Sequence, residues 1–456
     1  MTILNVKYTT TYDVVFVAHS SAKNWILEKI CKVIASNTGL RSSIVFSHKN
    51  GKLNFKLPSS RAYFFAHFSI AYWTIKNTPN LRNSKLFFWF THPNFNKNFT
   101  LAQFSELINW SDKIFCTNSK LKDFVDIISE DEKKSHCIFG GFDKSFFDCR
   151  RGASSILLVS GFYERKNPNE IIEVIKHLKN RSFIMAAPHP DEINNTGILW
   201  QNSPYWDELK ELKNLQIISV KNENLPLIYQ KCKWFLSLSV LEGGPIPLLE
   251  AMAAGLIPMA TNTGFAEDII KHSENGYILD KSKSLKNQIG EVLNKEDIAV
   301  DVIKLSVKDY SWENFGRKIA NIVEQTIFPE TIEFGEDKLT SDLIFEKNWW
   351  FSELNQAYQT FNSGSLTYFI TQSSKICIFL KYRGNRSILK VEINGDEAEL
   401  RYDNEILKYY YDQPISGWTY IEVSKDFKNL KFNLPIDINE PIIIEKLFLY
   451  DDHNKP

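Results

Sequence analysis

Two glutamates enclose a short stretch of glycine, proline and apolar residues near the middle of the chain. Glu242 and Glu250 are separated by seven residues, GGPIPLL, which begin with Gly243 and Gly244. The two glycines let backbone N–H groups approach a ligand closely, and a helix starting at Pro247 would add unpaired N–H groups that bind phosphate. The stretch therefore predicts an anion site between two carboxylates. The alternative is helix packing, because the helix dipole alone favours an acid in the first turn by about 0.3–1 kcal/mol.

A basic pair offers a second candidate for chemistry. Arg165 and Lys166 follow the apolar, strand-like run at residues 156–161 and precede a helix expected from Pro168 onward. Positive charge at the start of a helix is unfavourable with the helix dipole. The pair therefore favours an anionic ligand, and the alternative is a solvated basic pair on the surface.

Apolar runs that suit buried strands alternate with amphipathic, helix-like stretches through the first 330 residues. Residues 13–18 (DVVFVA) and 23–36 (KNWILEKICKVIAS) are the first such pair. Strands that alternate with helices predict βαβ units and a parallel sheet, with ligands beyond the carboxyl ends of the strands. Since the series is interrupted near residue 150, we predict an α/β fold of two doubly wound, Rossmann-like domains, at residues 1–150 and 151–328.

The pattern changes after residue 330. Short segments of alternating apolar and polar residues are separated by turn signals such as Asn394-Gly395, which is typical of an antiparallel sandwich. We therefore predict an all-β, sandwich-like accessory domain at residues 331–456. Its aromatic residues either stack on sugars or, in the interpretation we favour, fill the core and an interdomain contact. These residues are Trp349, Trp350, Tyr409, Tyr410, Tyr411, Trp418 and Tyr420.

Composition and charge argue against several classes of protein. Lys and Arg together number 54, as do Asp and Glu, so no basic field points to nucleic acid. The six cysteines are scattered singly, which fits reduced thiols better than a zinc site or a disulfide framework. The N-terminus does not resemble a signal peptide, and the longest apolar stretches are too short to span a bilayer. We therefore expect a cytoplasmic protein with no nucleic-acid partner.

One cluster would suit peripheral contact with the cytoplasmic membrane, because it combines basic and aromatic residues. The alternative, which is simpler, is a solvated rim around a core strand. The cluster contains Lys76, Arg82, Lys85 and Lys97 with Phe87, Phe88 and Trp89.

The residues from Glu242 to Gly264, EGGPIPLLEAMAAGLIPMATNTG, resemble the signature of the retaining GT-B glycosyltransferases, of the family 4 type with a Glu-x7-Glu motif. The resemblance extends over roughly residues 10–325 and includes 113–119 (KIFCTNS), 158–168 (LVSGFYERKNP) and 311–315 (SWENF). It implies the GT-B fold, in which two Rossmann-like domains face a cleft. A final helix at about 311–326 is expected to cross back to the first domain.

The resemblance implies roles for the residues that would bind a nucleotide-sugar donor. Glu250 would bind the ribose, Glu242 would contact the sugar, and Lys166 would neutralise the leaving diphosphate. The family's arginine falls on Gly161, which leaves that role vacant, and the adjacent Arg165 could supply the charge. The other expected donor contacts are Gly243, Gly244, Pro245, Leu248 and Leu249.

Two loops depart from the family pattern. The family usually has two glycines where this chain has Gly264-Phe265, which predicts a different loop there. The family's first loop is commonly rich in glycine, whereas residues 19–25 contain none. Acceptor contacts particular to this chain are therefore expected from His19, Ser20 and Asn24.

A histidine after an apolar strand is the remaining candidate. The resemblance implies that His92 faces the donor sugar across the cleft, and we take it with Lys166 and Glu242 as the catalytic residues. The alternative for any lone histidine at a strand end is a packed, hydrogen-bonded side chain, which we prefer for His67.

The resemblance implies transfer of a sugar, with retention, from a UDP- or GDP-sugar to a saccharide or lipid-linked acceptor. A bacterial-type pathway of surface polysaccharide or glycan assembly would suit such an enzyme. No D-x-D triplet lies at a strand end, so we expect no metal and no other cofactor. Two alternatives stay open: a catalytically weak GT-B scaffold that binds glycans, and another nucleotide-sugar enzyme of the epimerase or phosphorylase type.

Overall fold

The computed structural model describes residues 12–20, 23, 26–47, 57–91, 95, 99–159, 164–188 and 204–328, together with the strands between residues 330 and 451. These residues form two parallel sheets with helices, followed by antiparallel strands.

The first unit is a six-stranded parallel sheet in the order β2-β1-β3-β4-β5-β6. Alternate residues of β1 enter different cores, since Val14 and Phe16 pack with α1 whereas Val15 and Val17 pack with α2. Burial on both faces explains why the strand is apolar at successive positions. The elements are β1 (Tyr12–His19), α1 (Ile26–Asn37), β2 (Ser42–Ser47), β3 (Ser60–Phe65), α2 (Phe68–Asn77), β4 (Lys85–Phe90), α3 (Leu101–Trp110), β5 (Lys113–Cys116), α4 (Ser119–Ser129) and β6 (Ser135–Cys137). The short helix α5 (Lys144–Phe147) follows them in sequence, but its Phe146 packs in the core of the second unit.

The second unit is also a six-stranded parallel sheet, in the order β12-β11-β10-β7-β8-β9. Its helix α9 is buried along most of its length, which explains its almost wholly apolar sequence. The elements are β7 (Ser155–Val159), α6 (Pro168–His177), β8 (Phe183–Pro188), α7 (Trp206–Lys210), β9 (Leu215–Val220), α8 (Leu225–Tyr229), β10 (Cys232–Ser237), α9 (Ile246–Ala253), β11 (Ile257–Thr261), α10 (Ala266–Ile269), β12 (Tyr277–Leu279), α11 (Leu285–Val292) and α12 (Val300–Val307).

Helix α13 (Trp312–Ile327) follows the second sheet in sequence but packs on the first. Its Phe315 lies in the core that also contains residues of β1 and α1. Near its end, the buried Glu324 carboxylate accepts hydrogen bonds from the Thr38 hydroxyl (2.8 Å) and the Gly39 N–H (2.6 Å). The last helix therefore belongs to the first unit by packing.

The chain passes between the two units twice, and the two crossings are hydrogen-bonded to each other. The Phe142 N–H donates to the Tyr310 carbonyl, and the Trp312 N–H donates to the Phe142 carbonyl, both at 3.1 Å. Gly141 leaves no room for a side chain there, since a Cβ would lie 2.6 Å from the Trp312 nitrogen. The two crossings thus form one junction.

The strands after residue 328 pair in antiparallel fashion. One sheet has the order β15-β16-β24-β18-β22-β21 with β13 also paired to β24, and the other has the order β14-β17-β23-β19-β20. Face-to-face packing of the two sheets as a sandwich stays a prediction. The strands are β13 (Glu330–Glu333), β14 (Leu343–Phe345), β15 (Trp350–Ser352), β16 (Ala357–Thr360), β17 (Gly364–Phe369), β18 (Ile376–Arg383), β19 (Lys390–Ile393), β20 (Asp396–Ala398), β21 (Arg401–Tyr402), β22 (Trp418–Glu422), β23 (Asn429–Leu434) and β24 (Ile442–Asp451).

The aromatic residues of the expected membrane patch are buried. Phe87, Phe88 and Trp89 are at most 2% exposed, because β4 lies inside the first sheet with a core on each face. These three aromatic residues therefore cannot face a membrane, and Lys85 pairs with Asp112 at the surface (2.9 Å), which agrees with the solvated rim. Peripheral membrane contact of the protein stays a prediction. No helix in the described part of the chain is long and apolar enough to cross a membrane.

The close contact between α1 and α13 requires a glycine at position 316, which can be tested. A Cβ on Gly316 would lie 2.7 Å from the Val33 carbonyl oxygen, a backbone atom that cannot rotate away. We expect Gly316→Ala to lower the free energy of unfolding by about 1–3 kcal/mol, as overpacked sites do, in chemical denaturation.

Gly290→Ala is the matched control. Gly290 is also helical, but a Cβ there would meet only Leu178 Cδ2, at 3.8 Å. This variant should gain about 0.5–1 kcal/mol from the better helix propensity of alanine. Equal stabilisation by both substitutions would contradict the close packing of α13 on α1.

Candidate active site

The candidate site lies at the carboxyl edge of the second sheet, where two neighbouring strands end. Strand β7 is followed by the 3-10 turn Glu164–Lys166, and β10 is followed by the loop that carries Glu242. Because β7 and β10 are adjacent and parallel, both loops emerge at the same edge. The Val240 N–H donates to the Arg165 carbonyl at 2.8 Å, which ties the two loops together.

Glu242 is buried and holds two cations. Its Oε2 accepts from Arg165 Nη1 at 2.9 Å, and its Oε1 accepts from Lys166 Nζ and from the Ser239 hydroxyl, the latter at 2.8 Å. Burial alone would raise the pKa of the Glu242 carboxyl, but the Lys166 ammonium and the Arg165 guanidinium outweigh burial and hold the pKa below its ordinary value. With two cations to one carboxylate, the cluster keeps a net positive charge.

Residues 242–245, which we call the glycine loop, are packed closely on two sides. A Cβ on Gly243 would lie 2.7 Å from the Thr91 carbonyl oxygen of the first unit, and one on Gly244 would lie 2.7 Å from the Phe265 ring. Among the described residues, neither glycine N–H has a hydrogen-bond acceptor. Since backbone N–H groups in folded proteins are almost always paired, the loop is suited to bind an anion.

The Gly264-Phe265 pair lies directly behind the glycine loop. Gly264 has a φ of +57°, which favours glycine, and a Cβ there would lie 2.8 Å from the Gly243 carbonyl oxygen. Phe265 is completely buried and packs edge-on against Phe139, with ring centroids 5.7 Å apart. An aromatic ring therefore supports the glycine loop at the position where the resemblance noted in the sequence would place a second glycine.

Glu250 is the fifth residue of α9 and is also buried. Its Oε2 accepts a hydrogen bond from the Tyr229 hydroxyl at 2.8 Å, and within the described part of the chain its Oε1 has no donor. Burial raises the pKa of Glu250 to about 7, although the hydrogen bond from Tyr229 opposes this rise. The carboxyl therefore gains or loses its proton near neutral pH, as groups at functional sites often do.

The remaining expected donor contacts differ in what they can present to a ligand. Pro245 is the N-cap residue of α9. The side chains of Leu248 and Leu249 are completely buried in the core, so only their backbone could contact a donor. The roles of all three residues stay predictions.

The expected residues on the first unit are described only in part. His19 ends β1 and is half-buried, and Ser20 beside it is exposed. His92, Asn24 and Gly161 lie outside the described residues, so their roles stay predictions. His67 caps α2, because its Nδ1 accepts from the Ser69 N–H at 3.2 Å, which agrees with the packed interpretation.

Sequence reasoning missed four residues that hold this site in place, namely Thr91, Asn118, Tyr229 and Ser239. A motif search could not find the first three, because each acts through a contact with another element, whereas Ser239 lies in the same loop as Glu242, three residues before it. Asn118 carries a recognisable signal only for its second role, since Asn before a helix is a typical N-cap. Its side-chain Oδ1 accepts from the Leu121 N–H at 2.9 Å, which caps α4.

The chemistry available to the site is binding of an anionic, hydroxyl-bearing ligand. Among the described residues, the site offers two cations, two glycine N–H groups that have no acceptor, and the Glu250 carboxyl, whose Oε1 has no donor. Over the described ranges, no group of three or more His, Cys, Asp or Glu side chains is placed to hold a metal ion.

Comparison with known families supports this assignment of the fold. Residues 150–309 match the family described as Glycosyl transferases group 1, and this span contains the glycine loop and both cations. No curated protein matches the sequence.

Solved structures share the architecture of the two parallel-sheet units. The apo form of the lipopolysaccharide outer core galactosyltransferase WaaB is 13% identical, with a TM-score of 0.53, and the match covers 69% of this chain and 99% of WaaB. Anabaena HepE in complex with UDP is 12% identical, with a TM-score of 0.54, and the match covers 68% of this chain and 99% of HepE. Sucrose-phosphate synthase from Thermosynechococcus elongatus is 10% identical, with a TM-score of 0.53, and the match covers 69% of this chain and 99% of the synthase. The GT-B fold predicted from the sequence is confirmed for these two units.

The raised pKa of Glu250 predicts a pH-dependent stability. The folded pKa of about 7 lies above the ordinary 4.5, so the folded state holds the proton more tightly. The resulting stabilisation is complete below pH 4.5 and is lost as the pH rises through 7. Relative to Glu250→Gln, the wild type should therefore lose roughly 3 kcal/mol of unfolding free energy between pH 4.5 and 8, measured by denaturation at each pH.

Tyr229→Phe provides the paired variant. It removes the hydrogen bond that opposes the rise, so the midpoint of the pH dependence should move upward. A difference between wild type and Glu250→Gln that stays constant across this range would refute the raised pKa.

Proposed function

We propose that this protein transfers a sugar, with retention, from a UDP- or GDP-sugar to a saccharide or lipid-linked acceptor in the assembly of surface polysaccharide or another glycan. The observation that carries the proposal is the convergence of Glu242, its two cations and the glycine loop at one strand edge. The match of residues 150–309 to group 1 glycosyl transferases supports it. The HepE structure of similar fold is a complex with UDP, which supports a nucleotide-sugar donor.

The diphosphate of the donor would bind between the glycine loop and the basic pair. The N–H groups of Gly243 and Gly244, which have no acceptor among the described residues, offer hydrogen bonds, and the start of α9 adds the positive end of a helix dipole. Lys166 and Arg165 are both paired with Glu242. An arriving diphosphate would therefore share these cations with Glu242, whose carboxylate would turn toward the sugar.

The transfer step would need little more than placed charge. The bond between the sugar's anomeric carbon and the phosphate oxygen breaks, and the bond to the acceptor oxygen forms on the same face. The acceptor's hydroxyl proton passes to the departing phosphate. Negative charge grows on that phosphate in the transition state, where Lys166 and Arg165 are already positioned, and such preorganised charges lower barriers by several kcal/mol.

Glu250 would receive the ribose of the donor. Its Oε2 is held by Tyr229, which leaves Oε1 for ribose hydroxyls. A carboxylate accepts hydrogen bonds from two hydroxyls better than a protonated carboxyl does. Because the pKa of Glu250 is about 7, donor affinity should rise as the pH increases from 6 to 8.

A screen of nucleotide sugars tests the proposal directly. Thermal shift and hydrolysis would be measured with UDP-glucose, UDP-galactose, UDP-N-acetylglucosamine and GDP-mannose. Stabilisation and slow hydrolysis with one base are expected. Stabilisation without any hydrolysis or transfer would favour a glycan- or nucleotide-binding scaffold, and no response to any donor would refute the proposal.

Two substitutions should separate binding from turnover. Lys166→Ala should lower kcat by about 100-fold or more, because it removes charge that meets the leaving phosphate. Glu250→Ala should instead weaken nucleotide binding about tenfold, since it removes hydrogen bonds to the ribose. Steady-state kinetics and calorimetry with the donor found in the screen measure the two effects.

Lys176→Ala is the matched control for the lysine substitution, because Lys176 lies on α6 and pairs with Glu208 at the surface. It should leave both kcat and affinity unchanged. The site assignment fails if Lys166→Ala and Glu250→Ala transfer sugar at the wild-type rate.

The proposed role of these positive charges also predicts how the removal of metal ions affects the rate of transfer. If Lys166, Arg165 and the α9 N-terminus meet the charge of the diphosphate, no divalent cation is needed there. We expect transfer to continue at more than half of its rate in EDTA. A complete loss that Mg²⁺ or Mn²⁺ restores would show that a metal carries this role.

A further inference from the structure

A contact between the two units fixes the orientation of one peptide in the glycine loop. The Asn118 side chain belongs to the first unit, and its Nδ2 donates to the Gly243 carbonyl oxygen at 2.9 Å. Asn118 is 4% exposed, so the hydrogen bond lies away from water. This bond joins the first unit to the loop that we propose holds phosphate.

The orientation of the Asn118 amide is determined by its other partner. Its Oδ1 accepts from the Leu121 N–H at 2.9 Å to cap α4, and only the oxygen end of an amide can accept. The NH₂ end must then face Gly243. By capping α4, the Asn118 side chain is therefore held with its NH₂ group pointing at the glycine loop.

The peptide between Gly243 and Gly244 links the contact with Asn118 to the direction of the Gly244 N–H. Every described peptide bond is trans, and in a planar trans peptide the C=O and the following N–H point in opposite directions. Since the Gly243 carbonyl points toward Asn118, the Gly244 N–H points away from it. This N–H has no acceptor in the described part of the chain.

The adjacent contacts limit how far the loop could turn if this bond were lost. A Cβ on Gly244 would lie 3.4 Å from Thr117 Cβ, and a Cβ on Gly243 would lie 2.7 Å from the Thr91 carbonyl oxygen. These contacts restrict the position of the loop, but glycine peptides can still rotate within it. The hydrogen bond from Asn118 is what selects one peptide orientation.

We infer that Asn118 is a positioning residue, which turns the Gly243–Gly244 peptide so that the Gly244 N–H faces the phosphates of a nucleoside diphosphate. This inference rests on the proposed function, since it takes the glycine loop to be the phosphate site. Asn118 itself touches no phosphate. The first unit thereby controls donor binding on the second.

Asn118→Ser tests the inference, because serine keeps a neutral N-cap but is too short to reach the Gly243 carbonyl. UDP and GDP would first be titrated into the wild type by calorimetry to find the one that binds. For that diphosphate we expect Asn118→Ser to weaken affinity about tenfold, while Tm stays within a few degrees of wild type. Affinity for the corresponding nucleoside, which lacks phosphate, should change less than twofold.

Asn118→Ala and Thr100→Ala separate capping from positioning. Thr100 caps α3 and makes no contact with the glycine loop in the described structure, so Thr100→Ala should lower Tm without changing diphosphate affinity. Asn118→Ala should lower both Tm and diphosphate affinity.

Each unfavourable outcome points to a different error. Wild type that binds neither diphosphate refutes the proposed function and the inference with it. Wild-type affinity in Asn118→Ser, with the diphosphate bound by the unaltered protein, overturns the inference alone. Equal losses for diphosphate and nucleoside also overturn it, since they would mean a general distortion of the site.

Discussion

The ion cluster around Glu242 is the interaction on which the rest of the site depends. A carboxylate buried in this way is unfavourable unless charges or hydrogen bonds compensate for lost hydration. Arg165, Lys166 and Ser239 supply that compensation. Because these residues come from the ends of two adjacent parallel strands, the order of strands in the second sheet determines the site before any ligand arrives.

The same residue type has two opposite behaviours eight positions apart. Glu242 faces two cations and stays ionised, whereas Glu250 faces a tyrosine hydroxyl in an apolar core and has a pKa of about 7. Desolvation acts on both carboxyls, but two cations lie beside Glu242, whereas the charges of Lys29 and Asp143 act on Glu250 in opposite directions. One glutamate thus keeps a fixed charge while the other can respond to its surroundings, which suits different parts of one ligand.

Local pattern predicted much of the fold because several elements carry their own signal. The helix-like stretch predicted at residues 23–36 is observed as α1, Ile26–Asn37, because apolar residues recur there at helical spacing. Helix α2 was missed inside a long apolar stretch, because it is buried on several sides and shows no clear period. The three-residue strands β6 and β12 are too short for any pattern.

The candidate site was predicted as far as its motif reaches along the chain. Glu242, Lys166 and Arg165 were expected together and are in contact. Tyr229 and Asn118 were not found, because they act across the core and across the cleft on residues far away in sequence. Contacts of this kind depend on the packing of whole units, which no single segment encodes.

The paired crossings at Phe142 and Trp312 have a mechanical consequence. Two covalent connections that are hydrogen-bonded to each other form a single linkage between the two units, which is where a hinge would act if the units rotated. Gly140, beside that linkage, packs against Ile246 at the start of α9. A change in the angle between the two units would therefore alter the contact between Gly140 and Ile246, at the amino end of α9.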